Sequence, residues 1–444
     1  MSLDPEPRLR RRFDRAVAVA DPMRSLARHL PPRPTGRVVV VGAGKASARM
    51  AEAVEAAWGP CERLVITRYG YARPCQGIES IQAAHPVPDM AGPNATQRML
   101  DLVQGLGPDD FVLALISGGA SALLVAPAFG VTLAEKPAVN AALLASGVPI
   151  DRMNRLRKHL SRVKGGQLAA ASYPARMLAL LISDVPGDDP AIIGSGPAVG
   201  DTSTQGSARA VLDHWQIAVP DSVSAALSRP NGVVAPDVPR LSRVENLLYA
   251  AASHSPAAAA DLARTAGCDV SAWGDALEGE ARDTAAAHAT AALHLQRALK
   301  PNDRPQVILS GCELTVTRRG RGIGGPNAEY CLAMAIALNG APGIHALACD
   351  TDGVDGVAEV AGAVIGPHTL QNALHVGLDA DDFLRRNDAN SFFAGLCDQV
   401  VTGPTLTNVN DFRAILVFPP ALAPQQAVRC ETVTTSVCTE ADSR

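Results

Sequence analysis

Residues 37–47, RVVVVGAGKAS, run from four valines into glycines and a lysine, and residues 48–58, ARMAEAVEAAW, follow with apolar positions at helical spacing. A short β-branched run, apolar on both faces, then a glycine turn and a helix make a strand, loop, helix unit. A strand hidden on both faces belongs inside a parallel sheet. The theme recurs in RLVITRYG (63–70), FVLALISGGASALL (111–124) and MLALLISDVPGDDP (177–190), where an apolar strand meets a loop of small or polar residues. A leading helix is predicted over 7–30, ending before PPRP.

The proline-rich stretch PNGVVAPDVPRL (230–241) follows neither period and marks a domain boundary. Beyond it ENLLYAAAS (245–253), QVILSGCELTVT (306–317), IHALACDTDGVDG (344–356), AGAVIG (361–366) and DFRAILVF (411–418) continue the alternation. The expected fold is therefore α/β, with two doubly wound, Rossmann-like domains, mostly parallel sheets and a cleft between them. The domains are expected at 7–235 and 236–418, with a polar tail over 419–444.

Composition narrows the function. A chain of 444 residues exceeds the roughly 250–300 at which one core stops growing, and 47% hydrophobic residues exclude overall disorder. A net charge of −4 gives no basic footprint, and 4% aromatics leave few stacking platforms, so a nucleic-acid partner is not expected. The nine cysteines are odd in number and form no CxxC pair, which suits neither a disulfide framework nor zinc. The uncharged run 111–134 is interrupted by Ser117, Gly118, Gly119, Ser121, Pro127 and Gly130, and reads as buried elements rather than a membrane span. No apolar leader core opens the chain, so a cytoplasmic small-molecule protein is expected. A homo-oligomer is compatible with the sequence.

Ligands of open α/β sheets bind beyond the carboxyl ends of strands, so the chemistry is sought in those loops. Gly42, Gly44 and Lys45 form either a phosphate turn or a bare tight turn with a solvated lysine. They match neither GxxxxGK nor GxGxxG, because Ser47 takes the third glycine position. Ser117, Gly118, Gly119 and Ser121 suit a nest of amide donors for a phosphate or carboxylate, and are not a GxSxG nucleophile elbow. In MNRLRKHLSRVKGGQLA (153–169), Arg157 and Lys164 are expected on one helix face, reaching a polyanion or simply solvated. Asp184, Asp188 and Asp189 follow a buried strand and suit Mg²⁺ or a general base. In the second half Arg321 lies in a glycine-rich loop leading to Asn327 and Glu329, and Asp350, Asp352 and Asp355 follow another strand.

Taken in order, VVGAGKAS (40–47), HPVPD (85–89), SGGASALL (117–124), MNRLRKHLSRVKGG (153–166), SDVPGDDPAIIGSGP (183–197), GDALEGEARD (274–283), GGPNAEY (324–330), DTDGVDG (350–356) and TGPTLTNVNDF (402–412) resemble the glycerate 2-kinase family. Its C-terminal part, the MOFRL region, would correspond to about 305–417. The resemblance implies ATP- and Mg²⁺-dependent phosphorylation of D-glycerate at its 2-hydroxyl, with Lys45 in the active site. Pro326 stands where the family pattern often has arginine, so Arg321 or Arg157 would supply that charge. Gly42, Gly44, Ser117, Gly118, Gly119, Ser121, Arg157, Lys164, Asn327 and Glu329 would bind substrate or nucleotide. Asp184, Asp189 and Asp352 would hold the metal, with Asp189 or Asp184 alternatively accepting the hydroxyl proton. Some relatives are called hydroxypyruvate reductase. That NAD(P)H-dependent activity is the rival reading, with Glu62 the acid about twenty positions after Gly42. A non-catalytic sugar-acid-binding protein is the third.

Overall fold

The computed structural model describes residues 4–274 and 277–420; most of the expected tail, 421–444, lies outside them. The first sheet comprises β1 (Val38–Ala43), β2 (Glu62–Arg68), β3 (Ile78–Ala83), β4 (Phe111–Ile116), β5 (Arg176–Ile182) and β6 (Val244–Ala250). It is parallel throughout, in the order β3-β2-β1-β4-β5-β6. Alternate strand residues feed two cores. Val39, Val41, Val112 and Ala114 pack with Ala95 and Met99 of helix Ala91–Val103. Val40, Leu113, Leu115 and Leu180 pack with Met50, Ala51 and Val54 of helix Ser47–Trp58. Each buried valine or leucine contributes about 1.5–3 kcal/mol, which is why strands apolar on both faces take the middle of a covered sheet. The uncharged run begins as β4 and continues into a turn and the short helix Ala120–Leu123. No helix among the described residues is long and apolar enough to cross a membrane.

The second sheet comprises β7 (Asp269–Ala272), β8 (Gln306–Gly311), β9 (Ile344–Asp350), β10 (Gly362–Ile365), β11 (Gln399–Val400) and β12 (Asp411–Val417), in the order β11-β10-β9-β12-β8-β7. Only β7 and β8 pair in parallel; β12 runs antiparallel to β8 and β9, and β10 to β9 and β11. The expectation of mostly parallel sheets therefore fails for this half. A parallel partner needs a crossover, usually helical, whereas β9 reaches β10 through 351–361 with no helix between. The mixed arrangement has a consequence for the site. The ends of β8 and β9 share one edge with the starts of β10 and β12, as the pairs Gly311 with Phe412, Asp350 with Asp411 and Cys349 with Gly362 show.

The chain does not divide at 235 as simply as its proline content suggests. β6, beyond the proline-rich stretch, completes the first sheet against β5. Conversely, helix Pro5–Ala20 packs on the second sheet, where Leu9, Phe13 and Ala16 join Val307, Leu347 and Phe412. Asp21 follows that helix, and its side chain accepts from the Met23 amide to start the next. The leading helix thus stops at Ala20 rather than running to residue 30. Four helices, Glu135–Ala145, Ile150–His159, Gln205–His214 and Asp221–Ser228, form a separate apolar cluster beside the first sheet.

Candidate active site

The order of the first sheet reverses between β1 and β4, and the loops leaving these two strands meet there. The turn after β1 is packed rather than open. A Cβ on Gly42 would fall 2.4 Å from the Leu115 carbonyl oxygen, and one on Gly44, at φ +138°, 2.1 Å from Ser117 Oγ. Its amides are used internally: Gly44 donates to Ile66 O, Lys45 to Gly118 O, Ala46 to Ser117 Oγ and Ser47 to Gly44 O. The turn is a tight one, and Gly42 and Gly44 allow its close packing against the loop after β4. The lysine is not solvated, however. Its side chain reaches the second unit, where Nζ lies 2.5 Å from Asp352 Oδ2.

The loop after β4 does the opposite. Ser117 is buried and braces the Ala46 amide, and Gly119 sits in the left-handed region. The amides of Gly118, Gly119 and Ser121 have no acceptor among the described residues. This is the arrangement that receives an anion. There is no room for side chains: a Cβ on Gly118 would lie 2.1 Å from Asp184 Oδ2, and one on Gly119 3.0 Å from His85 Nε2 and 3.2 Å from Lys45 Cγ. Ser121 Oγ is 2.8 Å from Ser195 Oγ, in the GSGP turn that follows the aspartate loop.

Lys164 supports this loop from beneath. It is buried, and Nζ donates to Ser121 O at 2.7 Å and Ser195 Oγ at 3.5 Å. Burial, then the charges of Lys136, Arg157 and Lys158, hold its pKa well below the ordinary lysine value. Arg157 instead donates to Asn140 and Asn154. The expected shared helix face does not form, because the helix ends at His159 and Lys164 lies in the irregular segment beyond it.

Carboxylates gather around Lys45 from both units. Burial opposes its ammonium, but the charges of Asp352, Asp350 and Asp184 and the hydrogen bond to Asp352 prevail and hold its pKa above the ordinary value. Asp184 accepts from Asn408 Nδ2 at 3.0 Å, and its carbonyl accepts from Asn410 Nδ2 at 2.9 Å. Burial raises the Asp184 pKa against the pull of Lys45. Asp350 and Asp411 face each other across β9 and β12; burial raises both, and Asp352 repels each of them. Asp189 behaves differently: it is exposed, and its Oδ1 caps the Ala191 amide at 2.9 Å.

The remaining residues from the second half are engaged in structure. Asn327 Nδ2 donates to Asp411 Oδ1 at 2.7 Å, while Asp355 accepts the Asn327 and Ala328 amides at the start of helix Pro326–Leu338. Glu329 is buried, with Arg282 on Oε1 at 2.5 Å and Asn387 on Oε2 at 2.9 Å. Both carboxylate oxygens of Glu329 are thus engaged, whereas Asn327 Oδ1 is buried without a partner among the described residues. Pro326 occupies the first turn of its helix, where its missing amide costs nothing. Arg321 is exposed, in a loop pinned by Asn387 Oδ1, which accepts the Arg319 and Gly320 amides.

His85, Glu313, Asp411 and Asn408 join the site although none was singled out for a role from the sequence. Burial, then the Lys45 and Arg68 charges, lower the His85 pKa to about 4, so the imidazole stays neutral at pH 7. The only signal for these residues was their place within HPVPD, GCEL and TNVNDF. Among the described residues no three histidine, cysteine or acidic side chains are arranged to hold a metal by themselves. Mg²⁺ carried on nucleotide phosphates needs only one or two protein carboxylates, and Asp184 beside the open amides fits that demand.

Residues 8–228 match a family model described as a domain of unknown function, DUF4147, and residues 306–411 match the MOFRL family. An Agrobacterium vitis protein named "Putative hydroxypyruvate reductase" is 50% identical, over 92% of this chain and 94% of its own. A D-glycerate 2-kinase of Thermotoga maritima is 36% identical, over 89% and 94%. The crystal structure of a glycerate kinase from Thermotoga maritima superposes with a TM-score of 0.82 at 35% identity, covering 92% of this chain and 98% of that one.

Proposed function

Starting from the fact that the chain belongs to the glycerate kinase family, we propose that it is a glycerate 2-kinase, moving the γ-phosphoryl group of ATP to the 2-hydroxyl of D-glycerate. One observation carries this reading. Three unpartnered amides of the Gly118–Gly119–Ser121 loop lie at the strand-order switch point beside Lys45, whose ammonium meets a carboxylate of the second unit. Phosphoryl transfer needs donors and positive charge on the transferring group far more than it needs covalent chemistry.

In this reading the amides hold the glycerate carboxylate or a nucleotide phosphate. Lys45 leaves Asp352 to meet the transferring group, and Arg321 supplies the second cation that the family pattern places at Pro326. Asp184, and Asp352 once released, would hold Mg²⁺, which supplies charge neutralisation on the phosphates. Neutral His85 adds no competing charge next to Lys45.

The reductase name borne by relatives at 50% and 46% identity keeps the rival reading in view. Two features speak against it. Glu62 opens β2, at the opposite edge from the switch point, where it pairs with Arg63. The turn amides that would receive a dinucleotide pyrophosphate are bonded internally. Incubating the protein with D-glycerate and MgATP, and separately with hydroxypyruvate and NADH, tests the reading. Formation of 2-phosphoglycerate in the first supports the kinase. NADH oxidation in the second without phosphorylation in the first overturns it, and binding of glycerate with neither turnover leaves a non-catalytic binder.

A further inference from the structure

Within the field of Lys45, the turn after β8 carries a carboxylate to which the kinase reading assigns no role. Of the acidic groups gathered there, Asp352 is tied to Lys45 and the Val354 amide, Asp184 to Asn408, Asp350 to the Asp352 amide, and Asp355 to two amides. Asp411 is tied to Arg413 and Asn327. Glu313 is exposed, and its carboxylate has no hydrogen-bond partner among the described residues.

A buried clamp fixes the backbone on either side of it. Arg413, 1% exposed, donates from Nη1 to Gly311 O at 3.2 Å and from Nη2 to Cys312 O at 2.8 Å. Its Nη2 also lies 2.8 Å from Asp411 Oδ2, and Asp411 accepts the Leu314 amide. Between these fixed points Cys312 adopts φ +77°, a conformation that costs a side-chain-bearing residue energy and persists only where its surroundings impose it. A buried ion pair is poor value for stability alone. Here both partners direct their bonds to the residues on either side of Glu313. The charges that act on Glu313 are Asp411, Lys45, Asp184 and Asp352, so it shares the field of groups contributed by both units.

We propose that Glu313 is the catalytic base, accepting the proton of the substrate hydroxyl as that oxygen attacks the γ-phosphorus. This rests on the kinase reading above. The new oxygen–phosphorus bond forms as the bond from that phosphorus to the β,γ-bridging oxygen breaks, and the electron pair leaves with ADP. The proton passes to Glu313 and then to water as product departs. Although the residue as a whole is exposed, the protein packed around its carboxyl, then the charge of Asp411, raise its pKa above the usual glutamate value against the pull of Lys45, which makes the carboxylate a stronger proton acceptor.

The test compares wild type with Glu313→Gln and Glu313→Asp in phosphorylation of D-glycerate by MgATP, with thermal unfolding as a check on folding. The expected result is a loss in kcat of about 100-fold or more for the glutamine variant, with KM for glycerate within about threefold and partial recovery in the aspartate variant. A glutamine variant whose kcat stays within about threefold of wild type, or whose loss lies wholly in KM, overturns the assignment of the base. A wild-type protein that phosphorylates no glycerate overturns the kinase reading itself, and Glu313 as its base with it.

Discussion

Lys45 Nζ and Asp352 Oδ2 lie 2.5 Å apart, joining the turn after the first strand of one sheet to the loop after β9 of the other. The pair ties the lysine that would meet the phosphoryl group to the seam between the two units, because its partner is a side chain only 1% exposed. Removing the lysine alone leaves that carboxylate buried without its counter-charge, a loss of about 3–5 kcal/mol where burial is complete. Lys45→Met is expected to be both unstable and inactive, with kcat down by about 100-fold or more. Adding Asp352→Asn should restore much of the stability and none of the turnover. Urea denaturation and an ADP-release assay on the three proteins check this; a single variant with normal turnover would remove Lys45 from the chemistry.

Gly118 offers a sharper probe of the anion loop. A methyl group there would fall 2.1 Å from Asp184 Oδ2 and 2.5 Å from Asn408 Nδ2, two groups already bonded to each other. Gly118→Ala should therefore displace Asp184 and abolish turnover. Gly206→Ala is the control: it lies in helix Gln205–His214, with only Thr204 Oγ1 at 3.7 Å from the new carbon. That change should leave activity intact and raise stability by up to about 1 kcal/mol. Equal activity in the two variants would contradict the assigned role of the loop.

His85 gives the site an acid limit. Its pKa falls from the ordinary 6.5 to about 4, chiefly by burial and next by Lys45 and Arg68. Between these values the unfolded chain binds the proton and the native state does not. The contribution of His85 to stability is therefore complete above about pH 6.5 and lost as pH falls through 4, and amounts to at most about 3 kcal/mol. His85→Gln should flatten this part of the pH–stability curve relative to wild type, as followed by urea unfolding. Parallel curves would show that the imidazole keeps an ordinary proton affinity.

Local signals carried the first sheet. Strands apolar on both faces followed by small-residue loops read directly as doubly wound, and the loops containing Lys45, Ser117 and Asp184 did converge. The second sheet was legible only as α/β, because AGAVIG and DFRAILVF are equally apolar whichever way the strand runs. Glu329 gave no sign of being engaged because its partners, Arg282 and Asn387, lie far away in the chain. Arg157 and Lys164 were paired by helical spacing that stops at His159. Glu313 gave no signal of its own, since its flanking backbone is held by Arg413 and Asp411 in a strand that follows about a hundred residues later and comes beside it through antiparallel pairing.

Chelation should separate chemistry from folding. A protein with a structural metal loses stability with it, because binding free energy is then folding free energy. Among the described residues here, no three potential ligands are arranged to hold an ion, and Asp184 finds its partners in Asn408 and the charge of Lys45. Under the kinase reading Mg²⁺ arrives with the nucleotide, one or two carboxylates completing its shell. EDTA is expected to abolish phosphorylation of glycerate while leaving the thermal midpoint of the nucleotide-free protein unchanged, and added Mg²⁺ should restore full turnover. Asp184→Asn should raise the Mg²⁺ concentration needed for half-maximal activity, whereas Asp189→Asn, at an exposed cap on the Ala191 amide, should not. A midpoint that drops with EDTA, or a metal requirement shifted by Asp189 and not by Asp184, would place the ion elsewhere.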